Sequence, residues 1–406
     1  MSLIVQKYGG TSVGSIEKIR NVASRVIKTY DEGNDVVVVL SAMAGVTDSL
    51  IDMANQASGN PDARELDVLL ATGEQTTVAL MAMMLNEMGY SARSLLGYQA
   101  EILTDHAATR ARIISIGADK IREYLNERRI VVVAGFQGYD AGGNITTLGR
   151  GGSDTSAVAI AAAVNADVCE IYTDVDGIYT TDPSICKRAR KIGRISYDEM
   201  LEMSSLGAKV LQIRSVEFAK KYNVPVHVRS SFSEEEGTMV VNEEKGMEEV
   251  VISGITCKKD EARITFKKVP DKPGVSSKIF TPIAEAGILV DMIIQNTRAS
   301  GQTDLTFTVP RSDFAKAMEL ARETATTIEA EEVMSAENIA KVSVIGVGMK
   351  SHSGVASKMF NTLAAENINI IMISTSEIRI SCVIEEKYAE LAVQVLHTTF
   401  GLDSPE

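Results

Sequence analysis

Up to about Asn242, the chain alternates between short apolar runs and longer segments with helical spacing of apolar positions. The apolar runs predict strands at Leu3–Tyr8, Val36–Ser41, Ile130–Phe136, Cys169–Thr173 and Pro225–Val228. The longer segments predict helices at Ile16–Asp31, Val46–Gln56, Glu65–Met88, Ala107–Asn126, Asp154–Asn165 and Ala208–Tyr222. This alternation is typical of a mostly parallel sheet with helices on both faces.

Two polar segments interrupt that pattern. Residues Gln137–Thr147 predict a hairpin whose turn is Asp140-Ala141-Gly142-Gly143, and the hairpin leads directly into a glycine-rich run. The stretch Ser230–Glu249 predicts a linker around one short strand. We therefore expect a first domain at residues 1–245.

Beyond this linker the chain repeats itself at an offset of 80 residues. The coinciding pairs are Val275/Val355, Ser277/Ser357, Lys278/Lys358, Phe280/Phe360, Ala284/Ala364, Ile288/Ile368, Met292/Met372 and Ile293/Ile373. Each copy predicts a ferredoxin-like βαββαβ unit, at residues 250–336 and 337–406. The first copy closes with a strand at Thr327–Met334, whereas the second runs out of chain. We expect the strand Val250–Cys257 to complete the second copy.

Composition narrows the class of protein. The 406 residues are 45% hydrophobic, which is normal for a globular chain with a sizeable core. The longest apolar runs, Val36–Val46 and Ala157–Val164, are too short to span a bilayer, and no secretory leader is visible. The formal charge of −13 argues against nucleic acid or an anionic membrane as partner. Four scattered cysteines suit reduced thiols, so we expect a cytoplasmic protein.

The run Leu148-Gly149-Arg150-Gly151-Gly152-Ser153-Asp154 lies where a buried helix begins. The backbone N–H groups of Gly151 to Asp154 would be unpaired donors of its first turn, and Arg150 could bind a carboxylate or phosphate bidentately. The alternative is a glycine turn capped by Ser153 or Asp154, with no ligand.

The first strand runs into Lys7-Tyr8-Gly9-Gly10-Thr11-Ser12, in which a lysine and a glycine pair precede a helix. Such a turn can cradle phosphate, although an ordinary turn with an exposed lysine has the same sequence. The chain has no GxxxxGK[ST] and no GxGxxG motif, which argues against a P-loop and a dinucleotide site.

Five motifs together resemble the aspartate kinases of the amino acid kinase fold. They are KYGGTS from Lys7, SAMAGVT from Ser41, Thr72-Gly73-Glu74, GRGGSD from Gly149 and YTDVDGIYTTDP from Tyr172. The two repeats resemble the paired ACT domains with which that family senses amino acids. The resemblance implies a three-layer α/β/α domain with a mostly parallel sheet, followed by two ACT units.

The resemblance also implies the reaction, in which ATP and L-aspartate give 4-phospho-L-aspartate and ADP. Lys7 would stabilise the transferring phosphoryl group, and Asp154 would orient Lys7. Arg150 and Ser153 would bind the substrate α-carboxylate, while Glu74, at a helix start after Gly73, would bind the ammonium. The substrate-side candidates are Ser41, Thr47, Glu74, Arg150, Gly151 and Ser153.

The segment from Tyr172 to Pro183 resembles the family's nucleotide site, although it also fits a polar loop of two turns. The ATP-side candidates are Lys7, Gly9, Gly10, Thr173, Asp174, Tyr179, Asp182 and Lys209. ATP implies Mg²⁺, and because no dense carboxylate cluster is present, we expect phosphates and water to carry the metal rather than protein ligands.

In the repeats, we expect an effector amino acid to bind at a helix start after Asp271 and beside a strand that carries Asn369. The effector candidates are Asp271, Gly274, Ser276, Gln295, Asn369, Ile370, Ser376 and Glu377, and packing residues would have the same pattern. The family implies lysine and/or threonine as effector and a homo-oligomer, a dimer or higher, through the ACT units. Some relatives also make a shorter regulatory chain, which an internal start near Met247 would give here.

Two other functions remain open from the sequence. One is a kinase of another acidic amino acid, such as glutamate or acetylglutamate, which the repeats and the SAMAGVT and GRGGSD runs disfavour. The other is a non-catalytic amino acid sensor, which the intact Lys7, Arg150, Asp154 and Lys209 disfavour.

Overall fold

The computed structural model describes residues 2–208, 210–243, 252–297, 301–350 and 352–404. The chain divides into two compact units. The first contains Met1–Tyr179 and Lys191–Met247, and the second contains Thr180–Arg190 and Glu248–Glu406. The segment Thr180–Arg190 therefore belongs to the second unit although it interrupts the first in sequence.

The first unit is built on an eight-stranded sheet of order β12-β14-β13-β9-β1-β2-β6-β3, in which only β13 and β14 pair antiparallel. Its strands, with those of two small sheets, are β1 Leu3–Tyr8, β2 Asp35–Leu40, β3 Ala92–Leu95, β4 Ile102–Thr104, β5 Ile113–Ile116, β6 Ile130–Ala134, β7 Gln137–Tyr139, β8 Ile145–Thr147, β9 Val168–Thr173, β10 Ile178–Tyr179, β11 Lys191–Ile192, β12 Arg194–Ser196, β13 Val226–Ser230 and β14 Thr238–Val241.

The helices of this unit are α1 Ile16–Asp31, α2 Val46–Ala57, α3 Ala63–Glu87, α4 Asp119–Asn126, α5 Gly152–Val164, α6 Tyr197–Ser205 and α7 Ile213–Tyr222. The central strands are buried on both faces, because valine and isoleucine fill β2 and β6 without alternation. Helix α5 is buried almost throughout, since its small alanines let it pack closely between the sheet and α7. The predicted parallel α/β domain is confirmed.

Two helix predictions were wrong in part. The helix expected at Ala107–Asn126 exists only as α4, because the Asp105 carboxylate accepts hydrogen bonds from the backbone of Ala107 and Arg112 and closes a loop there. The helix expected from Ala208 begins instead at Ile213. Helix α6, which begins with a capping box from Ser196 and Glu199, was not predicted.

Helix α3 is, by length and composition, the one helix in the described chain that could cross a membrane. Half of its most apolar window is buried inside the unit, and its buried face carries the carboxylates of Asp67 and Glu74. Such burial is typical of the core helix of a folded domain. The expectation that no apolar segment reaches bilayer length is wrong for this helix.

The second unit has one six-stranded antiparallel sheet of order β16-β17-β15-β18-β20-β19. Its elements are β15 Gly254–Pro270, α8 Val275–Glu285, β16 Ile293–Thr297, β17 Gln302–Pro310, α9 Phe314–Thr327, β18 Glu332–Ile345, α10 Val355–Ala365, β19 Met372–Thr375, β20 Arg379–Glu385 and α11 Ala389–Thr399. Two separate apolar cores lie under this sheet, one for each sequence repeat.

The long strands β15 and β18 are shared by the two repeats. The start of β15, from Gly254 to Lys258, pairs with the end of β18, from Lys341 to Ile345. Its later part pairs with β17 and with the start of β18. The strand expected to start at Thr327 was misplaced, because Thr327 ends α9 and β18 then runs on into the second repeat. Residues 250 and 251 of the expected Val250–Cys257 strand lie outside the described residues.

Candidate active site

The sequence motifs of the first unit meet at the carboxyl edge of its sheet. The parallel register aligns Tyr8 with Leu40 and Tyr172, Leu40 with Ala134, and Ser230 with Thr173. The loops that follow these strands therefore begin side by side. Crevices at this edge are where open parallel sheets bind ligands.

Lys7 and Asp154 form an ion pair at this edge. Lys7 lies near the end of β1 and Asp154 in the first turn of α5, each is 9% exposed, and Lys7 Nζ is 2.6 Å from Asp154 Oδ1. Burial of a single charge is costly, so each side chain compensates the other, and the contact fixes the lysine amino group beside the turn. This is the arrangement expected of a lysine held ready for an anionic ligand.

The glycine pair after β1 allows two loops to approach each other. A Cβ at Gly10 would lie 2.8 Å from the carbonyl oxygen of Ala42, and one at Gly9 would lie 3.5 Å from Lys7 Nζ. The backbone of Ala44 donates to the carbonyl of Gly10 at 3.2 Å. Gly10 is therefore required for packing, and Gly9 leaves space next to the lysine.

Glu74 lies under the SAMAGVT loop. Its Oε1 accepts a hydrogen bond from the backbone N–H of Ala42 at 2.9 Å, and its Oε2 is buried with no hydrogen-bond partner among the described residues. Glu74 is 3% exposed, and this burial raises its pKa from 4.5 to about 7, although the Ala42 N–H opposes the shift. A buried carboxylate oxygen without a donor is a ready partner for a cationic group.

The prediction that Glu74 begins a helix was wrong. Gly73 and Glu74 lie in the middle of α3, and a Cβ at Gly73 would come within 2.8 Å of the Ala42 side chain. The glycine serves close packing rather than a helix start. Ser41 and Thr47, at the two ends of the loop, are half-buried, and the Ser41 N–H donates to the Tyr8 carbonyl at 3.2 Å.

The glycine-rich run is a loop that ends in the left-handed residue Gly151, with φ of 72°. No side chain caps α5, so the alternative of a Ser153 or Asp154 cap is wrong. The N–H groups were also not all free as expected, because Gly152 donates to Gly149 and Asp154 to Gly151. Ser153 is buried in the first helical turn.

Arg150 lies between two left-handed glycines, Gly149 and Gly151, and its side chain is exposed. Its backbone carbonyl accepts a hydrogen bond from Gln212, and the carbonyl of Leu148 accepts one from Arg214. The sequence did not single out these two residues of the α7 region, because no local pattern marks a contact across 62 positions. The Arg150 guanidinium thus lies on a loop whose backbone carbonyls accept hydrogen bonds from the side chains of Gln212 and Arg214.

A third unpredicted residue is Asp67, which is fully buried on α3. It accepts hydrogen bonds from the N–H of Thr109 and the hydroxyl of Thr147, at the base of the glycine run. The sequence could have identified Asp67, because it precedes Glu74 by seven residues and therefore lies on the same face of the helix. Two carboxylates on one face of an apolar helix indicate that this face binds polar groups.

Among the candidates for a nucleotide site, Thr173 ends β9 and its hydroxyl donates to the carboxylate of Asp174, which is exposed. Tyr179 donates its hydroxyl to Asp176. Asp182 accepts from the backbone and hydroxyl of Ser184 and belongs to the second compact unit. Lys209 lies outside the described residues.

The effector candidates of the second unit lie on turns and outer strands. Asp271 follows β15, Gly274 is the left-handed N-cap of α8, Ser276 is in its first turn, and Gln295 lies on the outer strand β16. In the other repeat, Asn369 and Ile370 precede β19 rather than lie on a strand as predicted, because the chain becomes extended only at Met372. Ser376 and Glu377 form the turn between β19 and β20.

The comparisons with known proteins agree with this organisation. The amino acid kinase family profile matches residues 2–230, and the ACT domain profile matches residues 267–324 and 342–400. A Pseudomonas aeruginosa protein named aspartokinase is 58% identical over 407 residues, covering 100% of this chain and 99% of its own.

Two crystal structures of E. coli aspartokinase III are also similar. One is in complex with aspartate and ADP (R-state) and the other with lysine and aspartate (T-state). Each is 26% identical, covers 98% of this chain and 99% of the other, and has a TM-score of 0.79. With the family profile matching more than half of the chain and a relative aligned from end to end, the chain belongs to the aspartate kinases, enzymes of the amino acid kinase family with ACT domains.

Proposed function

We propose that this aspartate kinase transfers the γ-phosphoryl group of ATP to the side-chain carboxylate of L-aspartate, which gives 4-phospho-L-aspartate and ADP. The observation that supports this most is the buried ion pair of Lys7 and Asp154 at the start of α5, next to the open turn at Gly9. The aspartate and ADP named for the E. coli structure support the same two ligands here.

The reaction needs little proton transfer from the protein. The attacking carboxylate of aspartate has an ordinary pKa of about 3.9 and is already ionised at neutral pH. Catalysis therefore consists of positioning and of neutralising charge on the transferring group. Lys7 supplies positive charge at that group, and Asp154 holds Lys7 in place rather than acting as a base.

The substrate is held at both of its backbone groups. Arg150 binds the α-carboxylate with two parallel hydrogen bonds, and Ser153 and the N–H of Gly151 lie at the same helix start. Glu74 binds the α-ammonium through the buried oxygen that has no partner in the described chain. Ser41 and Thr47 complete the pocket from the SAMAGVT loop.

The nucleotide binds along the neighbouring strand ends. Thr173, Asp174 and Tyr179 would contact adenine or ribose, and Gly9 and Gly10 would contact the phosphates, with Lys209 as a further contact. The described residues contain no group of three or more His, Cys, Asp or Glu side chains that could hold a metal ion. Phosphate and water oxygens, rather than a cluster of protein carboxylates, would hold Mg²⁺ brought by ATP, and the ion would supply positive charge to the phosphates.

Trapping the product as a hydroxamate tests the reaction. With ATP, Mg²⁺ and hydroxylamine, aspartate should give a coloured hydroxamate and glutamate should give almost none. Absence of product from aspartate would refute the proposal, equal product from glutamate would mean another acidic amino acid kinase, and ligand binding without turnover would mean a sensor.

We further propose that lysine, threonine or both inhibit the enzyme at the ACT units, as end products of the pathway that it begins towards lysine, threonine and methionine. The effector carboxylate would bind at the start of α8 after Gly274, and Asp271 would bind the ammonium. Ser276, Gln295, Asn369, Ile370, Ser376 and Glu377 would complete the site. The lysine complex of the E. coli enzyme supports lysine as a ligand.

The proposal also includes the domain boundaries and the assembly of the chain. The catalytic domain spans 1–245, and the ACT units span 250–336 and 337–406 with the start of β15 lent to the second. The chain assembles as a dimer or higher oligomer through the ACT units in the cytoplasm, and it binds neither nucleic acid nor membranes. A shorter regulatory chain that starts near Met247 would join the same assembly.

A further inference from the structure

The loop that carries Arg150 is held by the side chains of two residues at the start of α7. Arg214 donates from Nη1 to the carbonyl oxygen of Leu148 at 2.7 Å, and Gln212 donates from Nε2 to the carbonyl oxygen of Arg150 at 2.8 Å. The two carbonyls lie on either side of Gly149. Both anchors therefore act on the backbone and leave the exposed guanidinium of Arg150 for a ligand.

The loop also fits closely against these anchors. A Cβ at Gly151 would lie only 2.5 Å from Gln212 Cγ, and one at Gly149 would lie 3.1 Å from the carbonyl oxygen of Thr109. Both glycines have positive φ, of 72° and 76°. Both positions therefore favour glycine, because a larger residue would be strained at positive φ and would collide with these neighbours.

Arg214 connects this loop to a third segment. Its Nη2 donates to the carbonyl oxygen of Ala111 at 3.0 Å, and the Ala111 N–H donates to the carbonyl of Thr147 at 2.9 Å. The half-buried guanidinium thus bonds two carbonyl oxygens of different loops. A planar group with donors in fixed directions can do this, whereas a lysine ammonium reaches such a pair less well.

We propose that Gln212 and Arg214 are positioning residues that hold the Arg150 loop in the geometry that binds the α-carboxylate of aspartate. This inference rests on the proposed role of Arg150 in substrate binding. Both residues bond to the backbone of the loop rather than to the exposed Arg150 side chain. They act by fixing the two carbonyls that flank Gly149, so that Arg150 does not have to be ordered when aspartate binds.

Gln212→Glu is the sharpest variant, because it keeps the size of the side chain but removes the donor, and its negative charge faces a carbonyl oxygen. Loss of one such hydrogen bond corresponds to an increase in the KM for aspartate of about fivefold to tenfold. The KM for ATP should stay within about twofold, since the anchored loop belongs to the substrate side. Both Arg214→Lys and Arg214→Gln should also raise the KM for aspartate, and the rise should be smaller for the lysine variant than for the glutamine variant.

The comparison with Arg150→Ala separates this inference from the proposed function. If Gln212 acts through Arg150, the double variant Arg150→Ala, Gln212→Glu should have the same aspartate KM as Arg150→Ala alone. Additive effects, or equal rises in the KM values for aspartate and ATP, would overturn the positioning role. An unchanged aspartate KM in Arg150→Ala would instead refute the proposed carboxylate clamp.

Folding is monitored by the thermal midpoint of every variant. Lys221→Gln, at an exposed position of the same helix, is the matched control and should leave both KM values unchanged. Should Arg214→Gln fail to fold, Gln212→Glu still decides, because the Gln212 hydrogen bond lies at the exposed surface of the loop. An unchanged aspartate KM in a folded Gln212→Glu enzyme would overturn the inference.

Discussion

The catalytic candidates and the effector candidates are built in opposite ways. Lys7, Asp154 and Glu74 are buried, and their partners lie within the same compact unit. In contrast, Asp271 and Gln295 are exposed on a turn and an outer strand. The three buried catalytic candidates are thus held in place within one chain, whereas these two effector candidates are open to solvent.

The sheet of the second unit explains this difference. Its two outer strands, β16 and β19, occupy equivalent places in the two repeats and lie at opposite edges of the six-stranded sheet. Within the described residues, each edge strand pairs on one side only and carries an exposed isoleucine, Ile293 or Ile373. A second copy that pairs with these edges would cover the residues near them. The comparison therefore predicts that catalysis depends on the chain alone and regulation on its assembly.

Lys7→Ala should have the largest effect, and it tests directly whether the two regions are independent. The variant removes the lysine proposed to lie at the transferring phosphoryl group and leaves the buried Asp154 without its ion-pair partner. We expect kcat to fall by about a thousandfold or more, as for the loss of a group that stabilises transition-state charge. Hydroxamate formation measures turnover, and calorimetric titration with lysine or threonine measures effector binding. Loss of both in a folded protein would mean that the two regions are not independent.

Glu74→Gln should have the next largest effect on catalysis. The variant cannot pair with the substrate ammonium, so we expect the KM for aspartate to rise by about ten- to a hundredfold. In the parent enzyme, the pKa of about 7 for Glu74 predicts that this KM rises as the pH falls below 7, because protonation removes the negative charge. A pH profile of the aspartate KM that is flat between pH 6 and 8 would contradict this role.

Glu74→Gln should weaken substrate binding but increase the free energy of unfolding. Because burial raises the pKa of Glu74 from 4.5 to about 7, the folded state favours the protonated form, and ionisation costs stability as the pH rises through this range. Glu74→Gln should therefore be more stable than the parent above pH 7, by up to about 3 kcal/mol, and equal to it near pH 4.5. Urea unfolding at pH 5 and pH 8 measures the difference. A variant less stable at both pH values would show that another contact of Glu74 dominates.

Asp271→Ala tests the other region. Loss of a charged partner for the effector ammonium should raise the half-inhibitory concentration by about tenfold or more and leave uninhibited turnover unchanged. Glu285→Ala, at an exposed position near the end of α8, is the control and should keep normal inhibition. Inhibition of Asp271→Ala at the parent concentration would remove Asp271 from the effector site.

Elements that local sequence patterns determine were predicted more accurately than elements that depend on side-chain contacts. Strand β1 and helix α1 were predicted to the residue, because an apolar run and the Ser15 cap mark their limits locally. The loop at residues 107–112 was mistaken for a helix because its structure depends on the side chain of Asp105, which competes with the backbone. Tertiary and side-chain contacts of this kind have no periodicity along the chain.

The site shows the same limit. The motifs around Lys7, Glu74 and Asp154 were located from the sequence through a family resemblance, and the ion pair of Lys7 and Asp154 agrees with the expected contact between them. The carbonyl anchors Gln212 and Arg214 could not be found, because each acts on the backbone of a distant loop. Residues proposed to bind ligands occur here in recognisable sequence motifs, whereas residues that position a loop are recognised only from their contacts in the structure.

Ile293→Lys should have the smallest effect on the kinase reaction without effector, and it tests whether regulation depends on assembly at the sheet edge. Ile293 is exposed on the outer strand β16, and a lysine there would oppose burial against a second copy. Loss of one buried isoleucine corresponds to association weaker by about tenfold or more. Light scattering over a dilution series measures the mass, and Leu391→Lys on α11 is the matched control. Per-chain turnover without effector should stay within about twofold of the parent, because the ion pair of Lys7 and Asp154 lies within one unit. If Ile293→Lys and Ile373→Lys both keep the parent mass and inhibition, the effector site is complete in one chain and the contrast between the two regions is wrong.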